Sequence, residues 1–287
     1  MVLRLTDGTT VTDLSEPPQG LRHRVFVGVE EGSGREVAAK VELIDGALEA
    51  ERLALEWLTE QDVPAPRLRA AGRLDDSGDY PGSVCLVVDR APGGRTTSLE
   101  GWGRLGRAVA RLSMVPWEGS GLTVLDHDAF RDIHERRVAD LGDALGRDLG
   151  ATLPPLPRAY AESPMTIAHG DPGPGNFVDD GYAGTLVDWE DAAVAPRGLD
   201  LGRARFIALP GVLAEGWVAD EPTARADAVA AGFLAEVDPP PDAEELDWWL
   251  GVAGVQFAHW RLERAGAPGI PPWLDAVRAL EAALPAH

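Results

Sequence analysis

At 287 residues, 45% of them apolar, the chain is long enough to bury a large core as one domain or two. Its net charge of −21 excludes nucleic acid and anionic membrane as partners, because both repel such a surface; the charge suits a cationic small molecule, or is simply a solvated acidic surface. The first twenty residues lack the apolar core of a secretory signal, no run approaches the roughly 18 apolar residues of a membrane span, and the lone Cys85 forms no internal disulfide, so the chain is expected in the cytoplasm.

The first 90 residues read as strands with one helix. "RVFVGVEE" and "REVAAKVEL" alternate with period two, and "GSG" between them marks a hairpin. Val37, Ala39, Val41 and Leu43 then share one face, which puts Lys40 on the other, beside Ala38 and Glu42. Lys40 is the only lysine, against 25 arginines. The next stretch predicts a helix with Asp45 as N-cap, ended by "VPAP" at 63 to 66. Its apolar stripe is Leu48, Leu55 and Leu58, and Glu51 interrupts that stripe with a carboxylate. A compact ammonium fits between Glu51 and a phosphate where a planar guanidinium does not, which accounts for the retained lysine.

Past "SVCLVVDRAPGG" the pattern becomes helical, and residues 91 to 94 carry the one strong boundary. Apolar stripes run through Trp102, Leu105, Val109 and Leu112, then Phe130, Ile133, Leu141 and Leu145. A last long helix is predicted from Asp242 through Leu246, Leu250, Phe257 and Trp260. Trp248, Trp249 and Trp260 are either core or a cation–π wall for an amine.

Between these helices lies "MTIAHGDPGPGNFVDDGYAGTLVDWEDA". "DDGYAG" reads as a hairpin turn, and Asn176 and Asp188 are equidistant from its middle residue, 182, so folding sets them side by side. Asp171 stands on a loop stiffened by Pro172 and Pro174. Three oxygen-bearing side chains converge, and such donors suit Mg2+. Phosphoryl transfer needs a metal on the phosphates, a carboxylate on the attacking hydroxyl and a cation on the nucleotide. Asn176 and Asp188 are the expected metal ligands, Asp171 the expected base, and Lys40 the phosphate cation.

"HGDPGPGN" followed by "LVDWEDAAVAPRGLDLGR" resembles the H-G-D-x4-N and D-W/F-x patterns of aminoglycoside phosphotransferases, choline kinases and related small-molecule kinases. "VAAK", Glu51, "CLVVDRAPGG" and "RGLDLGR" follow in the same order, so the resemblance covers roughly residues 20 to 205. It implies an α+β, protein-kinase-like bilobal fold: a β-rich nucleotide-binding lobe at 1–92 and a helical catalytic and substrate-binding lobe at 93–287. It also implies a hinge at Asp89, Arg90 and Ala91 for adenine, His169 as a brace of the catalytic loop, and ATP with Mg2+; Asp200 reads as a helix N-cap or brace rather than a catalytic group. A G-x-G-x-x-G loop is absent; "PPQGLRHRVFVG" replaces it, with His23 and Arg24 read as a solvated turn rather than phosphate contacts.

Two-metal phosphoesterases also carry H-G-D, but their D-x-H and G-N-H-E clusters are missing. A catalytically dead nucleotide binder is disfavoured because every expected side chain is present. The acceptor is expected to be cationic, an aminoglycoside-like or peptide antibiotic, with a choline-like amine or a sugar as alternatives. From Glu190 to Glu263 there are 14 acidic residues and 5 arginines, and Glu190 and Asp191 are the candidate substrate carboxylates. Assembly is left between monomer and homodimer.

Overall fold

The computed structural model describes residues 2–17, 23–96, 98–146, 149, 163–209 and 223–266. The replacement for the glycine-rich loop falls partly at 18–22, outside the described residues. Six strands form one antiparallel sheet: β1 (Leu3–Arg4), β2 (Thr10–Ser15), β3 (His23–Glu30), β4 (Arg35–Glu42), β5 (Leu68–Arg73) and β6 (Val84–Asp89), in the order β1-β2-β3-β4-β6-β5. The "GSG" hairpin sets the β3–β4 register, with Val25 opposite Lys40 and His23 opposite Glu42. Val37, Ala39 and Val41 are buried with Phe26, Val11 and Val87 on one face. The strand ends at Glu42, so Leu43 leaves that face and is 48% exposed. Cys85 is buried in β6, and burial pushes its thiol up to about 12.

Helix α1 (Glu49–Leu58) packs Glu51, Ala54, Leu55 and Leu58 inward. Asp45 does not cap it. Leu48 holds the N-cap position with no side-chain bond, and the Leu48 N–H donates to Glu42 Oε1 at 3.1 Å instead. The helix also stops before "VPAP", where the Thr59 hydroxyl bonds back to the Leu55 carbonyl and ends the last turn.

After β6 come β7 (Gly94–Arg95), α2 (Leu99–Leu112), α3 (His127–Leu145), β8 (Met165–Ala168), β9 (Phe177–Asp179), β10 (Thr185–Leu186) and β11 (Ala193–Pro196). Helices α4 (Gly198–Ala208), α5 (Ala224–Leu234) and α6 (Ala243–Ala265) complete the described residues. Asp242 caps α6, its side chain accepting from the Glu245 N–H at 2.8 Å. The main core joins Trp102, Leu105, Val109, Phe177, Leu186 and Trp189 with Leu55 and Leu58 of α1. Trp248 and Trp249 are buried against Phe130, whereas Trp260 is 41% exposed and stacks on Arg264, so the three do not form one aromatic wall. No described helix is long and apolar enough to cross a membrane.

Two small sheets carry the polar loop. Strands β8 and β11 pair antiparallel, while β9 lies between β10 and β7. Arg104 of α2 grips Asp179 through two bonds of 2.8 and 2.9 Å, which fixes β9 to the helical layer.

Candidate active site

Lys40 is 7% exposed. Its ammonium lies 2.7 Å from Glu51 Oε1, 2.8 Å from Glu51 Oε2 and 2.8 Å from Asp188 Oδ1. Strand β4, helix α1 and the end of the β9–β10 hairpin therefore meet at one nitrogen. Burial alone would depress the Lys40 pKa; the two carboxylates outweigh it and raise the value. Burial likewise opposes the Asp188 charge, and Lys40 outweighs it and holds that carboxyl below its ordinary value.

The hairpin register differs by one step from the expected one. Thr185 faces Val178 and Leu186 faces Phe177, and the Val187 N–H donates to the Asn176 carbonyl at 2.8 Å. Asn176 is thus opposite Val187 rather than Asp188. The cause is the turn: Asp180 Oδ1 accepts from the N–H groups of Tyr182, Ala183 and Gly184, building an even-numbered loop centred between residues 181 and 182. Asp188 follows with φ 70°, a left-handed conformation that costs a non-glycine residue about 1 kcal/mol.

The loop before the hairpin is tied from below. Asp200, in the first turn of α4, is 3% exposed, and its carboxylate accepts from the Gly170 N–H at 3.0 Å and the His169 N–H at 2.6 Å. It braces the loop and is not a helix N-cap. Burial pushes its carboxyl up to about 6. His169 is fully buried against Trp189, with Nε2 3.0 Å from the Val187 carbonyl and Nδ1 accepting from the Asp171 N–H at 3.2 Å. These partners match the neutral Nε2–H tautomer, and burial depresses the His169 pKa to about 4. Gly170 has φ 85°, and a Cβ there would overlap the Asp191 carbonyl, so the middle residue of H-G-D is restricted to glycine on two counts.

Asp171 is 38% exposed on its side chain, and Oδ1 lies 3.1 Å from Arg203 Nη2. Asn176 Nδ2 donates to the Asp171 carbonyl at 3.0 Å and to Asp171 Oδ2 at 3.1 Å. With its nitrogen committed, the Asn176 amide presents its oxygen as the free end. That orientation and the hard-oxygen character of Asp188 fit a Mg2+ ion, which these two residues would hold.

The other sequence candidates are placed as follows. Asp89 ends β6 and pairs with Arg69 at 3.2 Å; Arg90 pairs with Glu36 at 3.3 Å. The N–H groups of Asp89 and Arg90 donate to the carbonyls of Arg67 and Glu36. Asp191 is exposed. Glu190 is directed at His23, its Oε2 3.6 Å from Nδ1.

Two residues carry more than the sequence suggested. His23 is not in a solvated turn: it opens β3, is 5% exposed, and sits between Asp188 and Glu190. Counting the β3–β4 pairing back from Val25 opposite Lys40 would have placed it on the Lys40 face. Arg203 reaches Asp171 from α4 by tertiary packing, and no local pattern signals that contact.

The profile of the phosphotransferase enzyme family (APH) matches residues 13–249, and the chain belongs to that family. Among solved structures, an aminoglycoside phosphotransferase APH(4)-Ia mutant in ternary complex with ADP and hygromycin B aligns with a TM-score of 0.66 at 13% identity, covering 96% of each chain. Amicoumacin kinase hAmiN in complex with AMP-PNP, Ca2+ and Ami aligns at 0.62 and 12% identity, over 95% of this chain and 89% of that one. Choline kinase from Cryptosporidium parvum Iowa II aligns at 0.60 and 11% identity, over 93% and 87%. No curated protein matches the sequence. The fold is protein-kinase-like, and the chain is a small-molecule phosphotransferase with an alcohol group as acceptor.

Proposed function

We propose that the protein transfers the γ-phosphate of ATP to a hydroxyl of a cationic small molecule, with an antibiotic of the aminoglycoside or peptide type as the leading acceptor and resistance as the consequence. The observation that carries the reading is the Lys40 ammonium joining Glu51 to Asp188 within 2.8 Å, beside the Asp171–Asn176 pair. In this reading residues 1–92 hold the nucleotide and 93–287 supply the catalytic loop and acceptor site.

Lys40 holds the α- and β-phosphates, and Glu51 keeps its ammonium pointed at them. Asp188 and Asn176 would hold Mg2+, which would supply positive charge against the phosphates. Asp171 accepts the proton of the acceptor hydroxyl; Arg203 and Asn176 fix its two oxygens. Of the hinge amides, those of Asp89 and Arg90 are already engaged, so Ala91 is the backbone donor to adenine. Glu190 and Asp191 remain candidates for acceptor contacts, with Glu190 shared with His23.

The test is ADP release from Mg·ATP across a panel of hydroxylated amines, antibiotics and neutral sugars. Stimulation by one class, lost in Asp171→Asn, is the expected result. No stimulated turnover with any hydroxyl compound would leave a nucleotide-binding protein without transferase activity.

A further inference from the structure

We propose that His23, Asp188 and Glu190 form a divalent-cation site with one nitrogen ligand, which gives this protein a preference for Mn2+ or Co2+ over Mg2+. The proposal rests on the phosphotransferase reading only in placing Asp188 at the metal.

His23 lies on the same face of the sheet as Lys40, because His23 pairs with Glu42 and Val25 with Lys40. Its imidazole is buried between two carboxylates, with Nε2 3.7 Å from Asp188 Oδ1 and Nδ1 3.6 Å from Glu190 Oε2. Both separations exceed a hydrogen bond. Among the described residues Nδ1 makes none, although it is shielded from solvent. A buried ring nitrogen in that state costs free energy unless a ligand completes it.

One ring nitrogen alone can meet an ion, and the 3.6 Å from the unpartnered Nδ1 to Glu190 Oε2 suits two donors on a shared ion, while the 3.7 Å to Asp188 Oδ1 belongs to the other nitrogen. Two ligands with bonds of about 2.1 Å, set about 90–120° apart, stand about 3.0–3.6 Å from each other. Candidate ligand atoms of all three residues lie within 4.8 Å of one another. Lys40 engages Asp188 Oδ1, which leaves the other carboxylate oxygen for an ion, and the 34% exposure of that side chain leaves room for metal-bound water.

The donor set decides the metal. Mg2+ favours oxygen and keeps its waters, whereas imidazole suits the later divalent ions, and affinity rises from Mn2+ to Co2+ at mixed sites. A histidine placed only to pack the strand would not discriminate among these ions.

The experiment uses the full chain without nucleotide or acceptor. Mn2+, Co2+ and Mg2+ binding is measured by calorimetry for the wild type, His23→Gln and Glu190→Gln, with folding checked by circular dichroism. Pulsed electron paramagnetic resonance of bound Mn2+ reads the nitrogen coupling of a directly coordinated imidazole. The expected result is a 14N coupling in the wild type that disappears in His23→Gln. Co2+ affinity should fall at least about tenfold in that variant, the scale of losing a metal-site partner, while Mg2+ affinity stays within about twofold. Glu190→Gln should weaken Co2+ and keep the coupling, which preserves a test if His23→Gln does not fold. Absence of Mn2+ binding, absence of the coupling, or equal losses for all three ions would overturn the assignment. Failure of ADP release would instead sink the phosphotransferase roles and leave these binding results standing.

Discussion

Lys40 makes three short contacts from one nitrogen, each to a different carboxylate oxygen. An ammonium directs its donors from a point, while a guanidinium spreads them along a plane and carries its charge further from the strand. Arginine at this position would have to displace Glu51, which is 1% exposed and packed into the α1 stripe. Lys40→Arg is therefore expected to lower kcat/KM at least about tenfold, or about 1.4 kcal/mol, despite the conserved charge. Glu51→Gln should impair the same step. Because the two residues touch, the double variant should lose less than the sum of the singles. Near-wild-type kcat/KM in Lys40→Arg would refute this account of the lone lysine.

Asp171 and Asp188 are both carboxylates of the polar loop, yet they should fail differently. Asp171 contacts Arg203 and Asn176 and is open to solvent, as a group waiting for an acceptor would be. Asp188 contacts Lys40, the proposed phosphate cation. Asp171→Asn should abolish turnover and keep affinity for a nonhydrolysable Mg·ATP analogue within a few-fold; Asp188→Asn should lose metal-dependent nucleotide binding as well. Calorimetry with and without Mg2+ separates the two, and the reverse pattern would exchange the roles.

At the scale of elements, sequence patterning reached as far as local periodicity reaches. Alternation found β3 and β4 and put Lys40 on the correct face; the apolar stripe found α1 with Glu51 turned inward. The hairpin after Asn176 was legible as a turn, but its register depended on which carboxylate organised the loop, and Asp180 does so by taking three backbone donors at once. The cap of α1 was misplaced because Glu42, still on the strand, reaches the first turn from outside the helix. Helix packing was not legible at all. The glycines of "GWGRLGR" allow α2 to lie against α5 at backbone distance: a Cβ on Gly106 would overlap the Val229 carbonyl, whereas one on Gly103 would meet the nearest atom at 3.6 Å. Gly106→Ala should thus force the helices apart and cost about 1–3 kcal/mol. Gly103→Ala should be neutral or gain up to about 1 kcal/mol of helix propensity. Urea unfolding of the two variants gives the comparison; equal stabilities would show that the α2–α5 contact is not tight.

For the whole molecule the open quantity is the use of the −21 charge. The stretch from Glu190 to Glu263 holds 14 acidic residues and 5 arginines, and two of those arginines are already committed, Arg203 to Asp171 and Arg205 to Asp247. Under the proposed reading this stretch supplies the acceptor side, and its net charge is negative. Attraction of a cationic acceptor by such a field is Coulombic, and it weakens as the Debye length shrinks from about 10 Å at 0.1 M salt to about 3 Å at 1 M. Acceptor KM is therefore expected to climb steeply with NaCl. KM for Mg·ATP should move less, since direct contacts to Lys40 and the metal ligands are screened less than charges facing open water. Replacing Asp191 by Asn should raise acceptor KM and flatten its salt dependence while Asp188 and Glu190 remain in place. A neutral sugar acceptor would show neither response, because it has no charge for the field to act on. A flat line of acceptor KM against ionic strength in the wild-type protein would reject the cationic acceptor and reduce the acidic surface to solvation.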